Sequence, residues 1–405
     1  MSAVPASASA AASLARGRPA LLFVTLLLGQ ASQSLAFTAF VAALPQMAHQ
    51  WGSRGPFLAQ MTMALAALGT LVGSLASGRI LERAGIRNML VAALLVFALS
   101  GAEPLILSDP SWLLAARFVS GFCCACIATA CLWGIAAEYG AADRGRVLGI
   151  SAAVSNGVAV GATLIGGYLA ERSGWPSAFA QIALFGVLGS LCAMCGVRQV
   201  YPDRTPQEGA AAPAGLLRLL PFYLTTMMLF AIMFMSSTQF AFVLEQVGVT
   251  DPARRSWFLV GVTVAAALTS FAYGTARKLL GERGAFTAAL ACMALALIIV
   301  AQTTTAATAV LGALLMGVYT GIVGPYVYDV VSERAAAASR GRAIGLLTAF
   351  GFLGGFLNPI LATLITQAVG LRNLFLLVGM TVAAATVFVG ANLARWIRAP
   401  SRRAT

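Results

Sequence analysis

The sequence predicts an all-helical membrane protein with twelve transmembrane helices arranged as two six-helix halves. Three observations predict this fold class. Hydrophobic residues make up 60% of the 405-residue chain and charged residues only 10%, well below the roughly 25% charged residues of a soluble domain. Apolar stretches of about 20 residues, each long enough to cross a bilayer, recur along the chain. The third observation is an internal repeat.

The repeat relates the two halves by one fixed offset of 196 positions. The repeated residues are mostly glycine and arginine. They pair as Gly78 with Gly274, Gly85 with Gly281, Arg87 with Arg283, Gly121 with Gly317, and Phe179 with Phe375. Because no insertion separates the two copies, one membrane unit of roughly 200 residues is predicted to be used twice.

Five segments follow from this pattern: a disordered N-terminus at 1–18, a first bundle at 19–198, a linker at 199–217, a second bundle at 218–394 and a basic tail at 395–405. The predicted spans are 19–45, 55–76, 88–107, 112–137, 146–170, 177–198, 220–244, 256–276, 285–303, 307–331, 342–368 and 372–393. The first 15 residues carry no cationic region ahead of the first apolar run, so we expect that span to be retained rather than cleaved.

The distribution of basic residues predicts the orientation. Twenty of the 26 Lys and Arg residues fall on the side that holds both termini, and five fall in the opposite loops. By the positive-inside rule both termini are then cytoplasmic, and we expect the inner (plasma) membrane. The net charge of +13 is explained by this bias together with attraction to anionic lipid, so nucleic acid is not an expected partner.

The seven cysteines all fall in apolar stretches, and Cys192 and Cys195 have a metal-like spacing without a neighbouring histidine or acid. We interpret them as small packing residues, and we expect no metal site and no cofactor. The single histidine, His49, is interpreted as a solvated residue of the first outer loop.

A loop motif lies between the second and third spans, with the sequence Gly78-Arg-Ile-Leu-Glu82-Arg83-Ala-Gly85-Ile-Arg87. Glycine at the first position lets helices approach closely, and Gly85 permits a turn with positive φ. The motif resembles the signature loop of the major facilitator superfamily, Gly-x3-Asp-Arg-x-Gly-x-Arg, with Glu82 where aspartate is usual. The resemblance implies a secondary transporter whose halves are latched by this loop on the cytoplasmic side, through Glu82, Arg83 and Arg87.

Further segments extend the resemblance. Gly174-Trp175-Pro176-Ser-Ala-Phe179 is similar to the Gly-Trp-Arg-x-x-Phe turn of the family, with Pro176 in place of the basic residue. The span-5 pattern of the family's antiporters, Gly-x3-Gly-Pro-x2-Gly-Gly, is only partly present, because Ala162 stands where proline is expected. The overall likeness is to twelve-helix drug:proton antiporters, which implies a proton gradient as the driving force.

Ionisable residues inside predicted spans are functional candidates, because burying a charge in lipid is costly. Arg117 shares a helix face with Gly121 and Ala125 in span 4, an arrangement similar to that of proton-coupled family members. Glu103 lies at a similar depth on the neighbouring span and is the expected partner of Arg117, so that proton uptake by Glu103 would be coupled to Arg117. The alternatives are a static ion pair that orders the hairpin, or an Arg117 side chain that snorkels outward. Asp329, after Gly324-Pro325, is a second proton-coupling candidate or else an interfacial acid.

In the family, spans 1, 4, 7 and 10 line the cavity. The side chains that these and neighbouring spans offer here are rich in aromatic and amide groups and poor in charge. A set of this kind suits a neutral or lipophilic small molecule. Alternatively, these groups form hydrogen bonds between helices. The candidates are Gln30, Gln33, Ser34, Phe37, Trp133, Asn156, Gln239, Tyr319, Tyr326 and Asn358.

The leading functional hypothesis is proton-coupled export of a drug or metabolite by a monomer. The main alternative is a proton-coupled uptake symporter for a small nutrient, and the incomplete span-5 pattern leaves both open. A transporter-like sensor is a remote alternative, and it would be expected to carry a soluble domain. A membrane enzyme is not expected, because no cluster of His, Asp or Cys lies at a predicted membrane face.

Overall fold

The computed structural model describes residue 14 and residues 19–107, 109–202, 219–335 and 340–398, except the side chains of residues 141–142 and 392–398. This part of the chain is helical. In chain order the α-helices are α1 Pro19–Thr38, α2 Leu44–Gln50, α3 Gly55–Ala84, α4 Ile86–Ala102, α5 Pro110–Glu138, α6 Ala141–Ser173, α7 Ala180–Gly196, α8 Leu220–Gln246, α9 Pro252–Ala301, α10 Ala306–Arg334, α11 Arg340–Val369 and α12 Leu371–Arg398. Short 3₁₀ turns lie at Val41–Ala43, Gly52–Arg54, Glu103–Leu105 and Trp175–Phe179.

Eleven helical segments in the described residues are long and apolar enough to cross a membrane. The first of them, Pro19–Gln50, combines α1 and α2 across the 3₁₀ turn at Val41–Ala43. The chain is therefore a multi-pass membrane protein.

The count of eleven differs from the predicted twelve because α9, which has 50 residues, contains two predicted spans. A straight helix of that length would measure about 75 Å, more than twice the hydrocarbon thickness of a bilayer. Instead α9 breaks at Gly281, where φ is 72° and ψ is 170°. Its two arms both contact α10, with Ala265 against Gly317 before the break and Val300 against Gly312 after it.

Six glycines adopt positive φ in the described residues, and no other residue type does. They are Gly52, Gly85, Gly174, Gly248, Gly281 and Gly370. These form three pairs, and within each pair the residue numbers differ by 196. A positive φ is strained for residues with a Cβ, so glycine is the residue expected at such positions.

The two ends of the bundle are called here the motif face and the far face. The motif face contains the turn at Gly85 and the chain around it, where the Ile86 amide donates to the Val200 carbonyl at 3.0 Å. The far face contains α2, the turn at Trp175–Phe179 and the connection from α8 to α9. Successive spanning segments of the chain run in opposite directions between these faces.

The predicted N-terminal segment, linker and basic tail fall mostly outside the described residues. Leu14 is an exception within 1–18, since its side chain is buried. Its amide donates to Glu138 Oε2 at 2.7 Å, and its carbonyl accepts from the Arg198 amide at 2.8 Å. The start of the linker is also described, because residues 199–202 pack against the turn at Gly85.

Candidate functional site

A central cavity of about 820 Å³ lies between helices from both parts of the chain. Helices α1, α3, α5 and α6 contribute lining residues from the first part, and α8 to α11 contribute them from the second. No Asp, Glu, Lys, Arg or His is among the described residues that line it. Its polar groups are hydroxyls and amides, including those of Gln30, Gln33, Ser34, Thr129, Ser237 and Thr320.

Aromatic rings from both parts of the chain meet in this cavity. The ring of Phe37 on α1 lies 5.7 Å from the ring of Phe234 on α8, edge to face. It also stacks on Phe352 of α11, with ring centroids 6.1 Å apart. This aromatic cluster gives the cavity an apolar centre with hydroxyl and amide groups around it, which suits a flat or lipophilic solute.

The cavity face of α1 contains four of the predicted residues: Gln30, Gln33, Ser34 and Phe37. They share one side of the helix because their spacing follows the helical period. Gln30 also donates from Nε2 to the Ala128 carbonyl on α5 at 3.3 Å, which fixes its orientation.

The other predicted cavity residues lie outside the lining of the central cavity, and three of them form bonds between helices. Tyr319 is fully buried and donates its hydroxyl to the Leu229 carbonyl at 2.9 Å. Asn358 donates to Thr238 Oγ1 at 3.5 Å. Gln239 exchanges hydrogen bonds with another glutamine on α3, described below. For these residues the interhelical alternative describes the structure.

Tyr326, Trp133 and Asn156 are also outside the cavity lining. The Tyr326 ring stacks on Phe286, with centroids 4.6 Å apart. Trp133 packs against the hydrophobic core from a partly buried position. On α5 the cavity is lined by Ala125, Ala128, Thr129 and Leu132 instead.

Sequence reasoning missed the cavity residues of α8 and α11. On α8 these are Phe230, Met233 and Phe234. Their spacing of three and four residues is the signal that could have found them, because it places all three on one helix face. Polar side chains of this helix were candidates, whereas its phenylalanines and Met233 were not.

Arg117 is fully buried on α5, and its charge is met by rings and neutral oxygens. Its guanidinium carbon lies 5.3 Å from the ring centroids of both Phe40 and Phe179. Nη1 donates to the Ala36 carbonyl at 3.3 Å, and Nη2 donates to the Ser120 hydroxyl. Arg117 therefore ties α5 to the end of α1 and to the turn before α7.

The predicted ion pair between Glu103 and Arg117 is not formed in the described structure. α4 ends at Ala102, so Glu103 begins a 3₁₀ turn, whereas the Arg117 side chain is directed toward α1. Both carboxylate oxygens of Glu103 are shielded from solvent and have no hydrogen-bond partner among the described residues.

Asp329 belongs to a partly exposed ion cluster at the motif face. Its carboxylate accepts from Arg277 Nη1 at 2.9 Å, while Glu333 accepts from Nη2 of the same arginine at 2.6 Å. A second pair joins Arg334 to Glu282 at 3.0 Å. All five residues of these ion pairs lie on α9 and α10, so the cluster connects two helices of the second part. Asp329 is outside the lining of the central cavity.

The loop motif contacts its own half of the molecule. Gly85 has φ of 74°, and the side chain of Gln199 donates to the neighbouring Ala84 carbonyl at 2.6 Å. Arg87 donates to the Met194 carbonyl at 3.3 Å. Glu82 and Arg83 are exposed. A Cβ placed on Gly78 would meet no described atom within 4 Å, so the expected close helix approach at this glycine is absent in this conformation.

On the far side of the cavity two buried glutamines form a barrier. Gln239 Nε2 donates to Gln60 Oε1 at 2.7 Å, and Gln60 Nε2 lies 3.4 Å from Gln239 Oε1. These residues also line a second cavity of about 780 Å³ at the far face, together with Arg54, Phe57 and Glu245. The glutamine pair thus lies between the central cavity and the far-face cavity.

A multi-pass helical bundle with an uncharged central cavity and a barrier on one side of it has the architecture of a membrane transporter. The model of the Major Facilitator Superfamily matches residues 26–337 and 250–404. The chain belongs to this superfamily and is a secondary transporter rather than an enzyme.

Solved structures share the fold at low sequence identity. A variant of the peptide transporter POT matches with a TM-score of 0.77 at 14% identity, over 92% of this chain and 94% of that chain. The nucleoside transporter NupG matches with a TM-score of 0.71 at 12% identity, over 91% and 98%. The D-xylose-proton symporter matches with a TM-score of 0.68 at 16% identity, over 89% and 96%. No curated protein matches the sequence.

Proposed function

We propose that this transporter moves a small, uncharged and lipophilic organic solute by alternating access, with proton-coupled export as its direction. The uncharged cavity of about 820 Å³ carries the proposal. A phosphate or carboxylate in this cavity would lose its hydration without gaining a cationic partner, which costs several kcal/mol. A neutral solute would gain contact with the aromatic cluster and hydrogen bonds from hydroxyl and amide groups.

The architecture that we propose has twelve crossings in two halves related by the repeat. Three pairs of positive-φ glycines at an offset of 196 support the repeat. A helix contact supports it further. A Cβ on Gly121 would clash with the Ala66 carbonyl, and a Cβ on Gly317 would clash with the Val262 carbonyl. Both residues of the second contact lie 196 positions after those of the first.

We also propose that the motif face is cytoplasmic, with both termini on that side of the inner membrane. The excess of basic residues there supports this orientation. The lining of the central cavity extends toward the motif face as far as Leu75, Tyr328 and Gly345. The glutamine barrier lies on the other side, so the conformation described here is inward-open. The loop motif would form its latch between the halves only in the outward-open state.

Proton coupling is proposed on the basis of the resemblance to drug:proton antiporters. Glu103 is the strongest candidate for proton uptake, because protonation would remove a charge that has no hydrogen-bond partner among the described residues. Arg117 and Asp329 remain candidates. Arg117 would act through its contacts with α1 and the turn before α7, and Asp329 through its ion pair with Arg277.

The test is substrate-triggered proton movement in inside-out vesicles. A pH-sensitive dye reports on a gradient built by respiration, while neutral lipophilic compounds, lipophilic cations and organic acids are added in turn. A neutral compound that collapses the gradient only in vesicles containing the protein is the expected result. Phe234→Ala should abolish this response, because Phe234 belongs to the aromatic cluster.

Phe388→Ala is the matched control, since this phenylalanine is 70% exposed on α12, outside the cavity. It should leave the response unchanged. If no compound releases protons while whole cells accumulate a nutrient in a Phe234-dependent manner, export is wrong and uptake is the function. A response to organic acids alone would contradict the proposed substrate class.

A further inference from the structure

Arg255 is a second fully buried arginine. Its burial could not be predicted, because the residue falls in a predicted outer loop. Its side chain is only 1% exposed. Nε donates to the Val249 carbonyl at 2.9 Å, and Nη1 donates to the Ala42 carbonyl at 2.9 Å. Nη2 donates to the Thr250 carbonyl and to Glu245 Oε1, which is 3.3 Å away.

One of these acceptors lies in the other part of the molecule. Val249 and Thr250 lie in the connection from α8 to α9, and Glu245 lies in the last turn of α8. All three are close to Arg255 in sequence. Ala42 lies in the 3₁₀ turn between α1 and α2. The interruption of the helix at this turn leaves carbonyl groups available to an outside donor.

A second link between the parts lies beside the first. His49 Nε2 on α2 lies 3.2 Å from Glu245 Oε1, the same oxygen that accepts from Arg255. His49 and Glu245 are themselves 196 residues apart. The carboxylate of Glu245 is therefore shared between a side chain of the first part and one of the second. Arg54 lines the neighbouring far-face cavity, and Asp251 immediately precedes α9.

We propose that Arg255 is the positioning residue that holds the far face closed, and that opening of this face breaks its bond to Ala42. This proposal rests on the proposed alternating-access function. The bonds of Arg255 to its own connection can persist during opening, whereas the bond to Ala42 and the contact between His49 and Glu245 must separate. The far-face clamp is defined as Arg255, Ala42, Glu245 and His49.

The geometry favours a clamp over a purely structural arginine. In the closed state the guanidinium is shielded from water, so its cost of burial is offset only while its acceptors are in place. When the far face opens, water in the cavity beside Glu245 would accept a hydrogen bond from Nη1 of Arg255 in place of the Ala42 carbonyl. The residue can therefore exchange one well-bonded state for another, as a two-state element requires.

The test is hydrogen–deuterium exchange of the full-length protein in lipid nanodiscs, followed by mass spectrometry of peptides. In Arg255→Gln, amides in residues 41–54 and 245–255 should exchange about tenfold faster, as expected for a tenfold shift toward the open far face. At the same time, motif-face segments that line the central cavity, near Ser74, Leu132 and Gly345, should exchange more slowly. Opening at one face with protection at the other is the signature of a shift between transport states.

Arg254→Gln is the matched control, because Arg254 is adjacent and exposed. It should exchange like the native protein. Glu245→Gln should show the Arg255→Gln pattern more weakly, since it removes the charge shared by His49 and Arg255 but leaves the bond to Ala42. Faster exchange at both faces would identify Arg255 as a folding residue, and unchanged exchange at the far face would also overturn the clamp. Neither result depends on knowing a substrate, so failure of the clamp is distinguishable from failure of the proposed function.

Discussion

At the scale of single residues, Arg117 shows how a cation can be buried in a membrane bundle without an acid. Its guanidinium carbon lies 5.3 Å from the centroids of both Phe40 and Phe179, two rings that stack on each other with centroids 4.6 Å apart. Two neutral oxygens accept from it. The negative faces of the rings attract the cation, and desolvation strengthens this attraction to about 2 kcal/mol or more. The planar shape of arginine allows stacking and hydrogen bonding at the same time.

Arg117→Lys should therefore destabilise the protein although it keeps the charge. Lysine has one compact ammonium group and cannot contact both rings while also donating to the Ala36 and Ser120 oxygens, as the two terminal nitrogens of the guanidinium do. We expect a loss of about 1–3 kcal/mol, the range for hydrogen bonds to charged groups. The measurement is thermal unfolding in detergent.

Arg172→Lys serves as the comparison. The guanidinium carbon of Arg172 also lies over a ring, 4.7 Å from the centroid of Tyr168. Arg172, however, is exposed, in the last turn of α6 at the far face. Its replacement should stay within about 0.5 kcal/mol of the native protein. Equal unfolding midpoints for the two variants would show that the contacts of Arg117 with Phe40 and Phe179 and its hydrogen bonds do not stabilise the protein.

The predictability of single residues depended on whether their partners are local. The position of Arg117 in a span was predicted, because one charge in a long apolar run is visible in the sequence. Its partners were not, since Phe40 and Phe179 are brought to it by packing. The predicted contact between Glu103 and Arg117 is absent because packing directs the Arg117 side chain toward α1. His49, interpreted as a solvated residue of the first outer loop, lies on α2 instead. Its side chain is 74% exposed and contacts Glu245, which is 196 residues away.

At the scale of elements, α3 and α5 pack closely because small residues face each other. A Cβ on Gly69 would clash with the Phe118 carbonyl, and one on Gly121 would clash with the Ala66 carbonyl. The close approach also lets the Thr70 hydroxyl reach the Gly121 carbonyl at 3.2 Å. In lipid, association of helices depends on such packing and on interhelical hydrogen bonds, because tails of lipid compete with apolar side chains.

Gly121→Ala should separate α3 from α5 and destabilise the protein by about 1–3 kcal/mol, the usual cost of overpacking. Gly149→Ala is the contrasting change, because a Cβ on Gly149 in α6 meets nothing within 4 Å. Alanine is favoured over glycine in a helix interior by about 1 kcal/mol, so this variant should be as stable as the native protein or more so. Both are measured by thermal unfolding in detergent, and a Gly121→Ala variant of native stability would contradict the packing account.

The elements were predicted well where a span ends at a loop with its own signal. Gly85 and Gly174 mark turns, and both have positive φ in the structure. Gly281 was also identified from the repeat, and it marks the break in α9, which contains two predicted spans. The predicted cavity face of α1 follows from helical period alone. The cavity faces of α8 and α11 did not follow, because phenylalanine in an apolar span is not distinguishable from a lipid-facing residue without the packing.

At the scale of the whole molecule, two cavities and the barriers between them explain how the protein would alternate its access. The central cavity is reached from the motif face, while the Gln60–Gln239 pair and the far-face clamp close the other side. Both closures join the first part of the chain to the second. Opening the far face therefore requires the two parts to move relative to each other, which agrees with the rocking of two halves.

The charge of the cavity could be predicted only in outline. The sequence has few charges in its spans, so an uncharged site was expected. The sequence does not indicate that Arg117, Arg255 and Asp329 would all lie outside the cavity, because each charge could have faced inward. Packing decides this, since Arg117 and Arg255 donate to carbonyl oxygens elsewhere in the bundle and Asp329 accepts from Arg277.

The most direct test of the central claim is binding of charge-matched compounds to the purified protein. Each pair shares one aromatic skeleton and differs only in a neutral amide against a carboxylate. Binding is followed by thermal stabilisation in detergent at increasing concentration. The neutral member should bind at least about tenfold more tightly, a difference of about 1.4 kcal/mol, because the described residues that line the cavity offer no cationic partner to a carboxylate. Equal or tighter binding of a charged member, lost in Phe234→Ala, would contradict the account.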